Sequence, residues 1–217
     1  MTATISAPQD KMTAEEYLKM QRSGPREVTG KYEFINQKLI FMAGASPNHN
    51  RITRNLTTKL DNQIVAHGTN QELFANELRT VSYSPNKNYL YPDIVIVDGF
   101  PYFDDENGDN LANPTLIIEV LSKSTEGIDR GDKFKSYRQT PSIKEYLLVS
   151  QKEKSIEQFY KDENGRWQIG DIFTEGTFKL QTLPFELSVE DVYRNVDLSK
   201  IDPSEMDIEE ERKRQKV

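Results

Sequence analysis

The chain has 217 residues, a formal net charge of −7, no cysteine and two histidines, His49 and His67. This length suits one domain with a full core; the missing thiols exclude disulfides and cysteine nucleophiles, and two imidazoles exclude a histidine-rich zinc centre. The acid excess argues against a broad nucleic-acid footprint, which needs clustered Lys and Arg, although Arg51, Arg54 and Lys59, or Arg130, Lys133, Lys135 and Arg138, still offer basic faces.

Residues 1–11 read as a disordered N-terminus without the apolar run of a signal peptide. No stretch approaches a membrane span, so a cytoplasmic location is expected. Thr13 and Glu16 form a capping-box pattern that starts a short helix. Lys31 to Met42 alternates as a hairpin turning near Asn36-Gln37. Ser46-Pro47 reads as an N-cap with proline in the first helical turn, and Ile52, Leu56, Leu60 and Ile64 then make an amphipathic helix ending at Gly68. Strands are predicted around 73–74, 78–83, 93–97 and 115–121. The segments 84–90 and 98–113 read as irregular. A helix is predicted over about 129–139, stopped before Pro141. Strands follow at 145–150, 155–160 and 166–173, the last two joined through Glu163-Asn164-Gly165, and Ser188 opens a short helix. Residues 198–217 read as a charged C-terminal extension whose Arg212-Lys213-Arg214 suits a solvated helix end. The order of elements suggests an α/β domain around a central mixed sheet.

Two acids stand out against this pattern. Asp93 opens Ile94-Val95-Ile96-Val97, and Glu119 interrupts Leu116-Ile117-Ile118 and Val120-Leu121, 26 positions later (119 − 93). Such runs read as strands buried on both faces, where a bare carboxylate must find a cation or a proton. Two carboxylates from neighbouring strands suit Mg²⁺ or Mn²⁺, which take oxygen ligands and keep waters for substrate phosphates. A lysine nearby would orient the attacking water or stabilise the phosphate. Lys123, four residues past Glu119, and Lys133, on the following helix, compete for this task. A structural ion pair with Lys or Arg is the plain alternative for the two acids.

Tyr91-Pro92-Asp93, Ile118-Glu119-Val120-Leu121-Ser122, Asp132-Lys133 with Tyr137, and Glu145-Tyr146-Leu147-Leu148-Val149 together resemble the Uma-type restriction endonuclease family of the PD-(D/E)xK nuclease superfamily. Met12 to Tyr17, Tyr32-Glu33, Met42-Ala43-Gly44 and Ser46-Pro47 with His49 extend the resemblance, which covers about 12–197. It implies a restriction-endonuclease-like fold with a central mixed β-sheet flanked by helices, and divalent-metal-dependent cleavage of DNA. It also implies Asp93 and Glu119 as metal ligands, with Lys133 as a displaced lysine, because the usual Glu-x-Lys spacing meets Leu121 in this chain. The carbonyl of Val120 is a candidate third ligand. Glu33 would complete the metal shell, bind Lys133 or Lys38, or act as a plain cross-strand partner. His49, in the first turn of its helix, would be structural or touch substrate phosphate, and Tyr137 would be a core aromatic or shape the site. Cutting both strands of a duplex favours a symmetric homodimer. The rival readings are a catalytically weakened module that binds DNA or a protein, and a metal hydrolase acting on another phosphate ester.

Overall fold

The computed structural model describes residues 12–23, 30–42, 44–75, 78–83, 86–123 and 125–199. The extensions expected at both ends lie largely outside these residues. The framework is a six-stranded mixed sheet. Its central strands are β6 (Ile94–Asp98), β8 (Leu116–Leu121) and β9 (Glu145–Ser150). β3 (Gln71–Ala75) closes one edge, and β10 (Ile156–Lys161) with β11 (Trp167–Phe173) extends the other, in the order β11-β10-β9-β8-β6-β3. β8 runs parallel to β9 and antiparallel to β6.

The alternation of side chains decides what each face carries. Ile94, Ile96, Leu116, Ile118 and Val120 face helix α2 (Pro47–His67), which buries Ile52, Leu56, Leu60 and Ile64 against them. Burying each such side chain contributes about 1.5–3 kcal/mol. α2 begins as its residues dictate: the Ser46 hydroxyl accepts the His49 amide hydrogen at 3.0 Å, and Gly68 ends the helix in the left-handed conformation (φ 58°). The opposite face carries Val95, Val97, Ile117, Leu121 and Leu148, packed against Ile35, Leu90, Leu111 and Tyr137.

A second sheet supplies part of that second layer, in the order β2-β1-β5-β4-β7. It consists of β1 (Tyr32–Ile35), β2 (Lys38–Phe41), β4 (Arg79–Tyr83), β5 (Lys87–Leu90) and β7 (Asn110–Leu111). Asn36 and Gln37 both take positive φ, 52° and 65°, as a two-residue hairpin turn requires. α1 (Ala14–Arg22) begins at the capping box of Thr13 and Glu16. A small hairpin of β12 (Thr177–Lys179) and β13 (Glu186–Ser188) leads into α4 (Val189–Val192) beside α2.

Three expectations needed correction. Residues 87–90, read as irregular, form β5 and pair with β1 and β4. The 98–113 segment contains β7, and its acids are tied down: Arg22 bonds both Asp105 and Asp109, buried Arg79 bonds Asp109, and Lys87 reaches Asp104 at 2.9 Å. Ion pairs that recruit residues distant in the chain leave no local pattern. The helix expected from 129 starts earlier and is composite: Glu126–Ile128, a π turn over Asp129–Lys133, then Phe134–Gln139, together α3. Among the described residues no helix is long and apolar enough to cross a membrane.

Candidate active site

Register brings the two conspicuous acids together. Val95 pairs with Ile117 and Ile94 with Ile118, so one further step along the same register sets Asp93 opposite Glu119. Glu119 shares the face of Ile117, so its carboxylate enters the layer between the two sheets, whereas Asp93 lies just before β6 and turns its carboxylate to the Val120 amide and to His49. β6 begins only at Ile94, while β8 runs on past Ile118 to Leu121. Beyond that point the Val120 amide donates to Asp93 Oδ2 at 2.7 Å. Asp93 Oδ1 meets Nε2 of His49 at 3.1 Å, presented by the first turn of α2.

Glu119 lies deeper. Its Oε1 accepts from Lys133 Nζ at 3.1 Å and from the Tyr137 hydroxyl at 3.0 Å. Lys133 also lies 2.9 Å from Glu33 and 3.1 Å from Asp129, so three carboxylates surround one ammonium. Glu33 is fixed from β1 and accepts the Tyr91 amide at 2.9 Å. α3 supplies Asp129, Lys133 and Tyr137 at steps of four residues, through a π turn of the kind often found at functional sites. The Tyr146 hydroxyl supports that turn by donating to the Asp129 carbonyl at 3.1 Å.

The electrostatics follow from burial. Lys133 is only 4% exposed, while Asp93 at 18% and His49 at 12% form the more open side of the group. Burial would discharge Lys133, but the charges of Asp129, Glu119 and Glu33 outweigh it and hold the ammonium well above the ordinary lysine range. Burial drives Glu119 well above the usual carboxylate range; Lys133 opposes this, and Asp129, Asp93 and Glu33 add to it. Glu33 is raised by burial in the same way, against the pull of Lys133. Burial would lower His49, but its hydrogen bond to Asp93 and the charge there prevail and raise it. Four acids (Glu33, Asp93, Glu119, Asp129) thus face two bases (Lys133, His49), an excess of two negative charges when all six are ionised.

A cation entering the group would favour the ionised forms of Glu119 and Glu33, which burial opposes. No cluster of three or more acidic or imidazole ligands is arranged around a metal position among the described residues. An ion held here would rest on Asp93 and Glu119 and complete its shell with main-chain, water or phosphate oxygens, which is how Mg²⁺ is commonly bound. The donor chemistry therefore fits a hard cation.

The structure gathers Glu33, His49, Asp93, Glu119 and Lys133 into this one group, with Val120 joined through its amide. Lys123 does not join them: β8 stops at Leu121, so strand parity no longer applies, and Lys123 sits exposed in the following turn. Two participants are only partly legible in the sequence. Asp129 carries no sequence signal beyond a helix start, and Tyr137 offers two readings, core aromatic or shaper of the site, of which its bond to Glu119 favours the second; their spacing of four on either side of Lys133 is the available signal. The arrangement sets Asp93 near the end of β6 and Glu119 in β8, with the Lys133 ammonium 3.1 Å from the Glu119 carboxylate.

Comparison with known proteins agrees with this architecture. A putative nuclease of the DUF820 group from Anabaena variabilis, whose crystal structure is known, has the same fold: TM-score 0.63 at 19% identity, covering 84% of this chain and 97% of that one. Two uncharacterized proteins of Synechocystis sp. are similar in sequence. The protein sll1609 is 37% identical over 165 residues, 76% of this chain and 89% of the relative. The protein slr1290 is 31% identical over 191 residues, 88% of this chain and 96% of the relative. Residues 14–194 match the family Uma2, described as putative restriction endonuclease. The chain therefore belongs to the Uma2 family and carries its restriction-endonuclease-like, mixed α/β fold.

Proposed function

We propose that this protein is a divalent-metal-dependent endonuclease that hydrolyses phosphodiester bonds of DNA. One observation carries the reading: the register of β6 and β8 brings Asp93, just before β6, level with Glu119, beside further acids gathered around Lys133. Mg²⁺ or Mn²⁺ held there, with the Val120 carbonyl as a further ligand, would polarise a phosphodiester and lower the pKa of a bound water. Asp93 keeps its orientation through the Val120 amide and His49. Lys133 supplies positive charge for the phosphate as it becomes more negative. Membership in a family described as putative restriction endonuclease supports DNA as the substrate. One site cuts one strand, so a symmetric homodimer would serve cleavage of a duplex.

The second reading, a nuclease fold that binds DNA or a protein without cutting, draws on one specific feature. Lys133 is already engaged by three carboxylates. Calorimetric titration with Mn²⁺ and Mg²⁺ of the wild type, Asp93→Ala and Glu119→Ala, followed by nicking of supercoiled plasmid, separates the two. The nuclease reading expects metal binding that both substitutions abolish, with metal-dependent nicking lost in parallel. Wild-type protein that takes up no metal even with DNA present would instead establish the binding module.

A further inference from the structure

Lys133 is held more firmly than a residue that only awaits a substrate phosphate needs to be. Its side chain is 4% exposed, and its ammonium donates to Glu119 Oε1 at 3.1 Å and lies 2.9 Å from Glu33 and 3.1 Å from Asp129. A divalent ion arriving between Asp93 and Glu119 would bring a second cation to a carboxylate that already serves one. Two cations on one carboxylate repel strongly in a buried site. The ammonium has acceptors to retreat to. Glu33 is fixed by its bond from the Tyr91 amide and stays in place as the lysine moves. Asp129 Oδ1 is buried and accepts no aligned hydrogen bond, although Nζ lies within 3.1 Å, so it has unused capacity. Neither acid belongs to the strand pair that brings Asp93 and Glu119 together.

We infer that Lys133 is the built-in counter-ion of the metal site: it neutralises Glu119 while the metal is absent, and the metal displaces it onto Glu33 and Asp129. The inference rests on the proposed metal site and adds its regulation. Lysine and metal compete for one carboxylate, so the ammonium sets how tightly the metal is held. The same competition keeps the metal-free site closed to stray monovalent cations, because the lysine already occupies it.

The test is Mn²⁺ titration calorimetry on the whole chain, comparing wild type with Lys133→Met, Asp93→Asn and Arg130→Met. Arg130 lies on the same helix but pairs with Glu126 and Glu157 on the surface, so its loss controls for a general change of charge. Lys133→Met should bind Mn²⁺ about tenfold more tightly, since a directly competing charge is gone, and Arg130→Met should match the wild type. Lys133→Met binding that equals or falls below wild type overturns the inference, as does an equal gain in Arg130→Met. Should Lys133→Met fail to fold, the Nζ resonance of Lys133 in the wild type decides: a shift on saturation with Mg²⁺ supports displacement, and an unmoved resonance refutes it. Absent wild-type binding, or binding untouched by Asp93→Asn, removes the metal site and the inference together. Binding lost in Asp93→Asn but not tightened in Lys133→Met removes the inference alone.

Discussion

Replacing Lys133 with methionine keeps the length of the side chain and deletes its charge, which leaves Glu33, Glu119 and Asp129 buried without their shared counter-ion. Breaking a buried pair by removing one partner costs about 3–5 kcal/mol. For a chain of this size that lowers the melting temperature by about 6–20 °C. The loss should depend on pH with a definite sign. Glu33 and Glu119 already titrate above their ordinary values because of burial, and Lys133 is their largest counterweight. Without it their folded-state pKa values rise further. A carboxyl raised in the folded state contributes stability that is fully present below the unfolded value and is lost as pH rises through the folded value. The variant should therefore approach wild-type stability near pH 4.5 and diverge from it towards pH 8. Urea denaturation of both proteins across that range, without divalent metal, measures the difference. A loss under about 1 kcal/mol at neutral pH would mean that water reaches the carboxylates and the site is less dry than described. An equally large loss at both ends of the range would assign the effect to packing, and the electrostatic account would fail.

Two further outcomes test neighbouring parts of the structure. His49→Leu deletes the hydrogen bond to Asp93 and should cost about 1.5–3 kcal/mol below pH 6.5, with the cost fading at higher pH. His49 is raised in the folded state, so its contribution is present below the unfolded pKa and disappears as pH passes the folded one; thermal melts at pH 6 and pH 9 check this, and a larger cost at pH 9 would contradict it. Away from the site, the buried Glu145 carboxylate accepts bonds from Gln158, from the amides of Gln181 and Thr182 and from the Thr182 hydroxyl, so it anchors the loop leading from β12. Glu145→Leu should lower stability by about 2–4 kcal/mol, since each donor left unsatisfied costs about 1–3 kcal/mol, without changing metal affinity; a shift in metal affinity would tie this loop to the site.

Much of the scaffold could be read in advance because its signals are local. Ser46-Pro47 and Gly68 bracket α2, and its apolar spacing of four names the face it buries. The hairpin at Asn36-Gln37 follows from two adjacent residues that tolerate positive φ. β5 and β7 escaped because short strands are defined by partners elsewhere in the chain: Lys87–Leu90 is polar at one end, and becomes a strand by pairing with β1 and β4; the β12–β13 hairpin, with three residues a side, is too short to show an alternation.

The site divides along the same line. An acid within an apolar run is visible in one dimension, since burying a charge without a partner is costly wherever the run folds, and Asp93 and Glu119 announce themselves on that ground alone. Their partners do not. Lys123 and Lys133 look alike as letters, and only the end of β8 at Leu121 and the path of α3 decide between them: one is left in an exposed turn, the other is buried among three acids. Asp129, Tyr137 and the Tyr91 amide acquire their roles only by packing. The demand for a counter-charge is intrinsic to the residues that need it, whereas the group that meets it is whichever one the fold brings within about 3 Å.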